Sequence, residues 1–357
     1  MKIGIDISSI IYGTGVSVYT KNLVEALLKV DRKNEYVLFF ASLRRKLEEA
    51  DLEFSNKNVL LKKFKIPPVL LDGLWNQLHF YPVENFIGQV DVFHASDWTQ
   101  PPASKAKLVT TIHDLSFLRW PKSAHPKVLT VQKRRLRWVK KEADAIIAVS
   151  NATKKEIIEL LKIPEKKIKV IHEALPVDFK KIKPQVSLKK FDIKKPYLLA
   201  SGSQAPRKNI GRVIKAFSVL QKKHDLQLVI TGDYQPGIKI SKDIILTGFV
   251  SQEEWAGLVK KARTLVYPSL YEGFGLPILE AFYLGVPAVT SNCSSMIEVA
   301  GKAAVLVDPY SVNSIVLGIE SVLTDPGLVG QLKKKGARRV KNFSWEKAAR
   351  QTLEVYR

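Results

Sequence analysis

The stretch TLVYPSLYEGFGLPILEAFYLGVPAVTS, residues 264–291, decides the fold class. It opens with a short apolar run that predicts a strand and continues through a loop that holds Gly273 and Gly275. Apolar residues at helical spacing follow, and a second apolar run at 286–291 predicts another strand. Nearly continuous apolar strands are typical of sheets covered on both faces. Strand, helix and strand in this order predict a parallel α/β sheet.

The same alternation extends toward the N-terminus and forms two series of strands and helices. The other predicted strands are KIGIDI (2–7), YVLFFA (36–41), NVLLKKF (58–64), VDVFHAS (90–96), KLVTTIH (107–113), DAIIAVS (144–150), PYLLASGS (196–203), LQLVITG (226–232) and IILTGFV (244–250). Two series predict two doubly wound domains, 1–178 and 179–341. The Lys- and Pro-rich stretch 173–196 is the expected connection. The closing helix, 342–357, is expected to pack back toward the N-terminal domain.

Composition excludes several classes of protein. The 357 residues carry 57 Lys+Arg against 34 Asp+Glu, a formal net charge of +23, which favours anionic partners. The single cysteine, Cys293, excludes a disulfide framework and cysteine-based metal sites. The first residues lack the apolar core of a signal peptide, and no apolar run reaches the ~18 residues of a membrane span. We therefore expect a cytoplasmic protein.

Glycine and polar residues follow the predicted strands, at the edge where open parallel sheets bind ligands. The turn GTG, residues 13–15, precedes a helix whose N–H groups could approach an anion, although ordinary tight turns look the same. His113 ends a strand and could donate a hydrogen bond to a sugar hydroxyl or a carbonyl, but a lone histidine is also commonly structural. We expect His94, at the end of another strand, to be structural.

Arg207 and Lys208 follow a small-residue loop and are predicted to open a helix. A guanidinium fork and an ammonium point charge both suit a diphosphate. Two cations at the positive end of a helix conflict with its dipole, and an anion between them would remove that conflict. The pair is therefore a candidate diphosphate site, with a solvated basic helix start as the alternative.

Two glutamates lie in the opening stretch. Glu272 falls on the predicted loop, and Glu280 is expected about two turns into the following helix. The two carboxylates could bind separate sets of ligand hydroxyls, while Gly273 and Gly275 permit exposed amides beside a phosphate. The apolar residues around Glu280 argue against a pair of ordinary surface acids.

Together these motifs resemble the family-4-type retaining glycosyltransferases of GT-B architecture. The resemblance covers essentially the whole chain, and the EGFGLPILE block matches that family's E-x7-E motif. It implies two facing Rossmann-like domains with the site in the cleft between them, an acceptor-side N-terminal domain and a nucleotide-sugar-binding C-terminal domain. The matching segments are TIHDL, DAIIAVSNATKKEI, RKN, EGFGLPILEA, MIEVAGKAAVLVDP and FSWEKAARQTLEVYR, and Ile297 stands where many relatives carry proline.

The resemblance also implies roles for the matched residues. His113 resembles the histidine near the reacting side of the donor sugar, and Arg207 and Lys208 resemble the pair that neutralises the diphosphate. Glu272 resembles the acid that holds the donor sugar's hydroxyls, and Glu280 resembles the acid that binds the ribose. Gly15 resembles the glycine whose amide approaches the donor diphosphate or the acceptor, and the other implied donor-binding positions are Val250, Gly273, Phe274, Gly275 and Leu276.

The implied reaction moves a hexose, with retention, from a nucleotide sugar to a glycan or lipid-linked acceptor. Negative charge develops on the leaving phosphate oxygen, where pre-placed cations stabilise it. The chain has no Asp-x-Asp motif, so we expect chemistry without a metal or any other cofactor. The TIHDLSF segment resembles mannosyl- and rhamnosyl-type relatives and favours a mannose-like sugar from GDP-mannose.

The positive charge leaves other partners open. The stretch QKRRLRWVKK, 132–141, could be a solvated helix face or could contact anionic lipid, which would make the enzyme peripheral on the inner face of the membrane. The apolar-aromatic residues of 66–86 could line an acceptor region or lie in the core. A GT-B-fold epimerase or phosphorylase and a nucleic-acid-binding protein are the alternatives, although we expect no nucleic-acid partner because the motifs of such proteins are missing.

Overall fold

The computed structural model describes residues 1–47, 58–203, 205–235, 237 and 241–357. Gln204, in the small-residue loop before Arg207, lies outside the described residues. The chain divides into two compact units. The first unit is Met1–Pro176 with Ser344–Arg357, and the second unit is Val177–Phe343.

The first unit is built on a parallel sheet. Its described strands are β1 (Lys2–Asp6), β2 (Glu35–Ala41), β3 (Val59–Phe64), β4 (Val92–Ala95), β5 (Lys107–Ile112), β6 (Ala145–Ala148) and β7 (Ile168–Val170). They lie in the order β3-β2-β1-β4-β5-β6-β7. The order reverses beside β1, which pairs with β2 on one side and β4 on the other. Such a switch point is where a doubly wound sheet leaves a crevice beyond its carboxyl edge.

Helices cover this sheet. The described helices are α1 (Gly15–Val30), α2 (Pro68–Leu71), α3 (Glu84–Ile87), α4 (Ser116–Arg119), α5 (Pro126–Glu142) and α6 (Asn151–Leu161), with a π-helical segment at Asp72–Leu78. Thr14 caps α1 through a reciprocal capping box with Ser17, and Ser150 caps α6. On α5, Leu136, Val139 and the following Ala143 are buried, as their spacing predicts.

The second unit repeats the architecture with a parallel sheet in the order β10-β9-β8-β11-β12-β13. Its described strands are β8 (Tyr197–Ser201), β9 (Gln227–Thr231), β10 (Ile244–Gly248), β11 (Thr264–Tyr267), β12 (Ala288–Ser291) and β13 (Val305–Val307). Its described helices are α7 (Val177–Lys181), α8 (Ile210–Leu220), α9 (Gln252–Lys261), α10 (Leu276–Tyr283), α11 (Ser294–Ala300), α12 (Val312–Thr324) and α13 (Pro326–Val340). Its core joins the inner faces of α8 and α12 to the strands.

The expected connection is more ordered than its composition suggests. Most of the stretch 173–196 belongs to the second unit, where Phe179 of α7 and Ile193 are buried. The strands β7 and β13, of three residues each, were not predicted, because runs that short carry little periodicity.

The last helix, α14 (Trp345–Tyr356), packs within the first unit. Trp345 is buried, and its indole N–H donates to the Leu175 carbonyl at 3.1 Å. Among the described residues, no single helix has the length and apolarity to cross a membrane; α12 and α13, bent by 97°, pass only as a pair.

Candidate active site

Three of the predicted site residues meet at the carboxyl edge of the second unit's sheet. Arg207 and Lys208 lie in a short turn after β8, and Glu272 lies in the loop after β11. Arg207 Nη1 donates to Glu272 Oε2 at 2.8 Å, and Lys208 Nζ donates to Glu272 Oε1 at 2.8 Å. One carboxylate therefore bridges both cations.

This cluster is shielded from water, which strengthens its electrostatics. Burial alone would raise the pKa of Glu272, but the charges of Lys208 and Arg207 hold that pKa below its ordinary value. Burial would lower the pKa of Lys208, yet Tyr267 and Glu272 raise it. Lys208 Nζ also lies 3.1 Å from the Tyr267 hydroxyl. All three charged groups therefore stay ionised near neutral pH.

Backbone contacts hold the two loops of the cluster in place. The Leu270 N–H donates to the Arg207 carbonyl at 2.7 Å, which ties the loop after β11 to the turn after β8. The hydroxyls of Ser294 and Ser295 donate to the Glu272 carbonyl at 3.0 and 2.9 Å. The cluster is thus positioned by the first turn of α11 as well.

The prediction that the two cations open a helix is wrong. They occupy the turn Pro206–Lys208, and α8 begins only at Ile210. Asn209 separates the two elements with a left-handed φ of 60°, and its amide donates to the carbonyls of Pro268 and Pro309 at 2.9 and 2.7 Å. Helical periodicity does not reveal the turn at Asn209, so the sequence pattern predicts one helix where the structure has a short turn followed by α8. The anion that balances the cations is a side chain of the protein itself.

Glu280 has a separate environment from Glu272. Because α10 begins at Leu276, Glu280 lies about one turn into the helix and not two as predicted. The indole N–H of Trp255 donates to Glu280 Oε2 at 2.7 Å. Burial raises the pKa of Glu280 to about 7, with the Trp255 hydrogen bond acting in the opposite direction.

The segment between the two glutamates leads from loop to helix. Half-buried Gly273 follows Glu272, and buried Phe274 packs edge-on against Phe343 at 5.7 Å. Gly275 precedes α10 with a φ of 113°, a conformation that favours glycine, and half-buried Leu276 is the first helical residue. The N-terminus of α10 thus follows directly on the cluster.

Val250 lies in the loop after β10, on the same edge of the sheet. It is half-buried, while the neighbouring Phe249 is 85% exposed. The Gly232 N–H donates to the Gly248 carbonyl at 2.8 Å, which joins this loop to the end of β9.

In the first unit, His113 follows β5 and lies beside Glu173. His113 Nδ1 is 3.2 Å from Glu173 Oε1, and its ring meets Tyr19 edge-on at 4.6 Å. Burial would lower the pKa of His113, but Glu173, Asp97 and Asp114 raise it. By contrast, His94 is buried between the hydroxyls of Tyr356 and Thr111, at 2.8 and 2.9 Å, and burial lowers its pKa to about 3. His94 is a neutral structural residue.

Gly15 is the exposed first residue of α1 in the first unit. The preceding Thr14 lines a cavity of about 490 Å³ at the carboxyl edge of the sheet. The walls of this cavity are largely apolar and are formed by Asp6, Ser8, Ser9, Tyr12, Thr14, Val16, Ala41, Pro68, Leu71, Ser96, Asp97, Trp98 and Thr99.

Several residues that support the site were not predicted from the sequence. Trp255, Tyr267 and Glu173 each contact a predicted site residue, but they lie far from their partners in the chain. Asn209 is part of the RKN motif, and its place in that motif is the signal in the sequence that could have marked it as a site residue. Among the described residues, no group of three His, Cys, Asp or Glu side chains is arranged to hold a metal ion.

Comparisons with known proteins follow this division into two units. Residues 13–179 match the model described as Glycosyltransferase Family 4, and residues 182–339 match the model described as Glycosyl transferases group 1. The O-antigen chain mannosyltransferase B of Escherichia coli is 30% identical in an alignment that covers 96% of each chain. The MMP alpha-(1->4)-mannosyltransferase of Mycolicibacterium hassiacum is 29% identical over 239 residues, 63% of this chain and 56% of that protein.

A solved structure is similar along the full length. The sucrose-phosphate synthase of Thermosynechococcus elongatus matches with a TM-score of 0.73 and 19% identity, over 100% of this chain and 98% of that one. The chain folds into two parallel sheets covered by helices. Together with the similarity to this structure, that architecture identifies the fold as GT-B. Because a relative is 30% identical along nearly the whole chain and the family models match both units, the protein belongs to the group 1 glycosyltransferases.

Proposed function

We propose that the protein transfers mannose from GDP-mannose to a glycan or lipid-linked glycan, with retention at the anomeric carbon and without a metal. The observation that carries the proposal is the cluster of Arg207, Lys208 and Glu272, with both ion pairs at 2.8 Å. The mannosyltransferase names of two relatives support mannose as the sugar. The epimerase and nucleic-acid-binding alternatives gain no support from these relatives.

The cations account for the departure of the leaving group. When the bond from sugar C1 to the diphosphate oxygen breaks, the electron pair stays on that oxygen. Arg207 and Lys208 stabilise the resulting charge, which in enzymes of this kind is usually the largest catalytic contribution. The acceptor oxygen then bonds to C1 on the same face, and its proton passes to the departing phosphate.

Because Arg207 and Lys208 would neutralise the charge that develops on the leaving phosphate, no divalent metal is needed for that task. The chain also lacks the Asp-x-Asp motif with which other sugar transferases hold a metal. Glu272 would accept hydrogen bonds from sugar hydroxyls, and Glu280 from the ribose. Gly273, Phe274, Gly275 and Leu276 would bring backbone N–H groups to the phosphate and sugar, since they lead into the N-terminus of α10.

The first unit supplies the acceptor side in this proposal. With Nδ1–H donating to the Glu173 carboxylate, His113 would present Nε2 to the donor sugar, as an acceptor when the ring is neutral and as an N–H donor when it is protonated. The 490 Å³ cavity beside Thr14 has the size of a small-molecule site, and Tyr12 and Trp98 offer apolar faces for sugar or lipid. We assign the acceptor to this cavity, and we propose that the backbone amide of Gly15 contacts the acceptor beside it.

A membrane-facing surface fits a lipid-linked acceptor. The outer face of α5 exposes Lys133, Arg137 and Lys140, and the helix packs on the π-helical segment, where His79 stacks on Trp138 at 3.5 Å. The neighbouring Leu78 and Phe80 are 71% and 53% exposed. We call these five exposed side chains, Lys133, Arg137, Lys140, Leu78 and Phe80, the basic-apolar face. It supports a peripheral position on the cytoplasmic side of the membrane.

A transfer assay tests the proposal. Purified protein is given a panel of nucleotide sugars with a mannose-terminated acceptor, in the presence and absence of a chelator. We expect GDP-mannose to be the preferred donor and the chelator to have no effect on the rate. NMR of the product should show an α-linked mannose, which is the configuration of the donor. Glu272→Ala and Lys208→Ala should each lower kcat/KM by about 10²–10³-fold, as loss of a transition-state contact does.

The matched control is Lys223→Ala, which removes an exposed lysine paired with Glu320 at 3.1 Å. It should keep full activity. Full activity in both Glu272→Ala and Lys208→Ala would show that the site assignment is wrong. A product with inverted configuration would contradict the retaining mechanism, and a preference for another donor would contradict GDP-mannose.

A further inference from the structure

The two cations that are proposed to bind the donor diphosphate already hold an anion. Each Glu272 oxygen takes one of them, Oε2 from Arg207 and Oε1 from Lys208, both at 2.8 Å. The three side chains are only 24%, 17% and 10% exposed for Arg207, Lys208 and Glu272. The cluster is a compact bridge, and its carboxylate lies where a phosphate oxygen could bridge the same two groups.

The donor atoms that bind Glu272 also make further contacts. Lys208 Nζ also donates to the Tyr267 hydroxyl at 3.1 Å, and Arg207 Nη1 lies 3.4 Å from the Tyr271 carbonyl. A diphosphate that binds the same donors would stand next to the Glu272 carboxylate. Like charges this close, at a site of low dielectric, repel strongly.

We propose that Glu272 occupies the diphosphate subsite in the free enzyme, and that the donor's diphosphate displaces it and releases its carboxylate to the sugar hydroxyls. This inference rests on the proposed function. No covalent step is involved, since two ion pairs are exchanged for two others and the carboxylate changes hydrogen-bond donors.

The exchange makes the site selective for the intact donor. An intact nucleotide sugar brings its own hydroxyls to the displaced carboxylate, so the buried charge is satisfied again. A nucleoside diphosphate lacks the hydroxyls of the transferred sugar, and inorganic diphosphate has no sugar at all, so each leaves a buried carboxylate without those partners, which is costly. Glu272 therefore weakens product binding while it strengthens donor binding.

Calorimetry with inorganic diphosphate isolates the exchange, because this probe has neither sugar nor base. Glu272→Gln removes the competing charge and keeps the side-chain size. We expect it to bind inorganic diphosphate about tenfold more tightly than wild type or better. Glu272→Asp keeps the charge but is too short to bridge both cations, and it should give a smaller gain. This second variant keeps the test open if Glu272→Gln folds poorly.

Two further variants complete the experiment. Glu320→Gln changes the net charge equally at a remote ion pair, and should bind the probe as wild type does. Lys208→Met should lose most binding. With GDP-mannose and GDP as ligands, the affinity ratio of donor to product should fall at least tenfold in Glu272→Gln.

The outcomes separate this inference from the proposed function. If Lys208→Met loses the probe but both Glu272 variants bind it no more tightly than wild type, the exchange is refuted and the phosphate assignment stands. If Lys208→Met binds the probe as well as wild type, the phosphate assignment fails, and the inference fails with it. A tighter Glu320→Gln would show that net charge alone controls binding.

Discussion

Glu272 and Glu280 belong to one loop–helix segment, yet their surroundings shift their pKa values in opposite directions. Glu272 meets two cations, so its pKa falls although it is buried. Glu280 accepts a hydrogen bond from the neutral indole N–H of Trp255, and burial raises its pKa to about 7. The first carboxyl is therefore always charged near neutral pH, while the second changes its charge there.

Glu280 should make stability depend on pH. A carboxyl whose folded pKa is raised stabilises the fold fully below its ordinary pKa of 4.5, and that contribution is lost as pH rises through the folded value of about 7. Glu280→Gln can still accept from Trp255 and carries no charge. We expect its stability relative to wild type to rise between these pH values, by at most about 3 kcal/mol.

Thermal melting of both proteins across this pH window checks the prediction, with Glu320→Gln as the control. The difference in Tm between Glu280→Gln and wild type should grow with pH and level off above about 8. A difference that is independent of pH would mean that Glu280 does not titrate in this range.

At the scale of elements, helix-to-sheet distance is set by small residues. In α12, a Cβ added to Gly318 would lie 2.3 Å from Val307 Cγ1 and 3.3 Å from Val289 Cγ1, so the helix rests on β12 and β13 at this point. In α13, a Cβ on Gly330 would meet no atom within 4 Å. Gly318 is therefore needed for close packing of α12 on the sheet, whereas the position of Gly330 has room for a side chain.

Replacing these two glycines by alanine should have opposite effects. Gly318→Ala forces α12 from the sheet, and overpacking of this kind costs about 1–3 kcal/mol. Gly330→Ala gains only helix propensity and should stabilise by about 0.5–1 kcal/mol. Denaturant unfolding of both variants measures the difference. Equal effects of one sign would show that α12 does not approach the sheet as closely as described.

Charges along the helices also follow an electrostatic pattern. Lys29, Lys260 and Arg338 each lie in the last turn of a helix, where a cation complements the negative end of the dipole. Glu253 and Glu346 lie in first turns. Part of the cationic excess therefore stabilises helices and needs no external partner.

For the whole molecule, the basic residues behind the net charge of +23 have different roles. Arg135, in the middle of the basic stretch 132–141, is 1% exposed and donates to Thr110 Oγ1 at 2.7 Å and to the Thr111 carbonyl at 3.0 Å. It is a structural residue, so one cation of this stretch belongs to the core and is not available to a partner. Lys133, Arg137 and Lys140 remain exposed.

The basic-apolar face should bind anionic lipid in a salt-dependent way. Each cation near such a surface contributes about 1 kcal/mol, so replacing Lys133, Arg137 and Lys140 by Gln should weaken vesicle binding at least ~10-fold. About 0.5 M salt should screen the same attraction, while the shielded cluster at Arg207 should keep its diphosphate. Co-sedimentation with phosphatidylcholine vesicles, with and without phosphatidylglycerol, measures this.

The matched control replaces three exposed lysines of α13, Lys333, Lys334 and Lys335, by Gln. It lowers the net charge equally and should bind vesicles as wild type does. Equal losses in both triple variants would mean that charge acts without a specific face. A Phe80→Ser variant with unchanged binding would remove the apolar part of the proposal.

Local patterns in the sequence were enough to predict the two parallel α/β units and to select candidate site residues. Strand and helix periods are local, and the EGFGLPILE and RKN motifs stand within short stretches of chain. The folded structure was needed to show that Glu272 bridges both cations, that Trp255 donates to Glu280, and that Arg135 is buried. Each of these contacts joins residues far apart in the chain, so side-chain partners and pKa shifts depend on the folded sheet, which periodicity cannot specify.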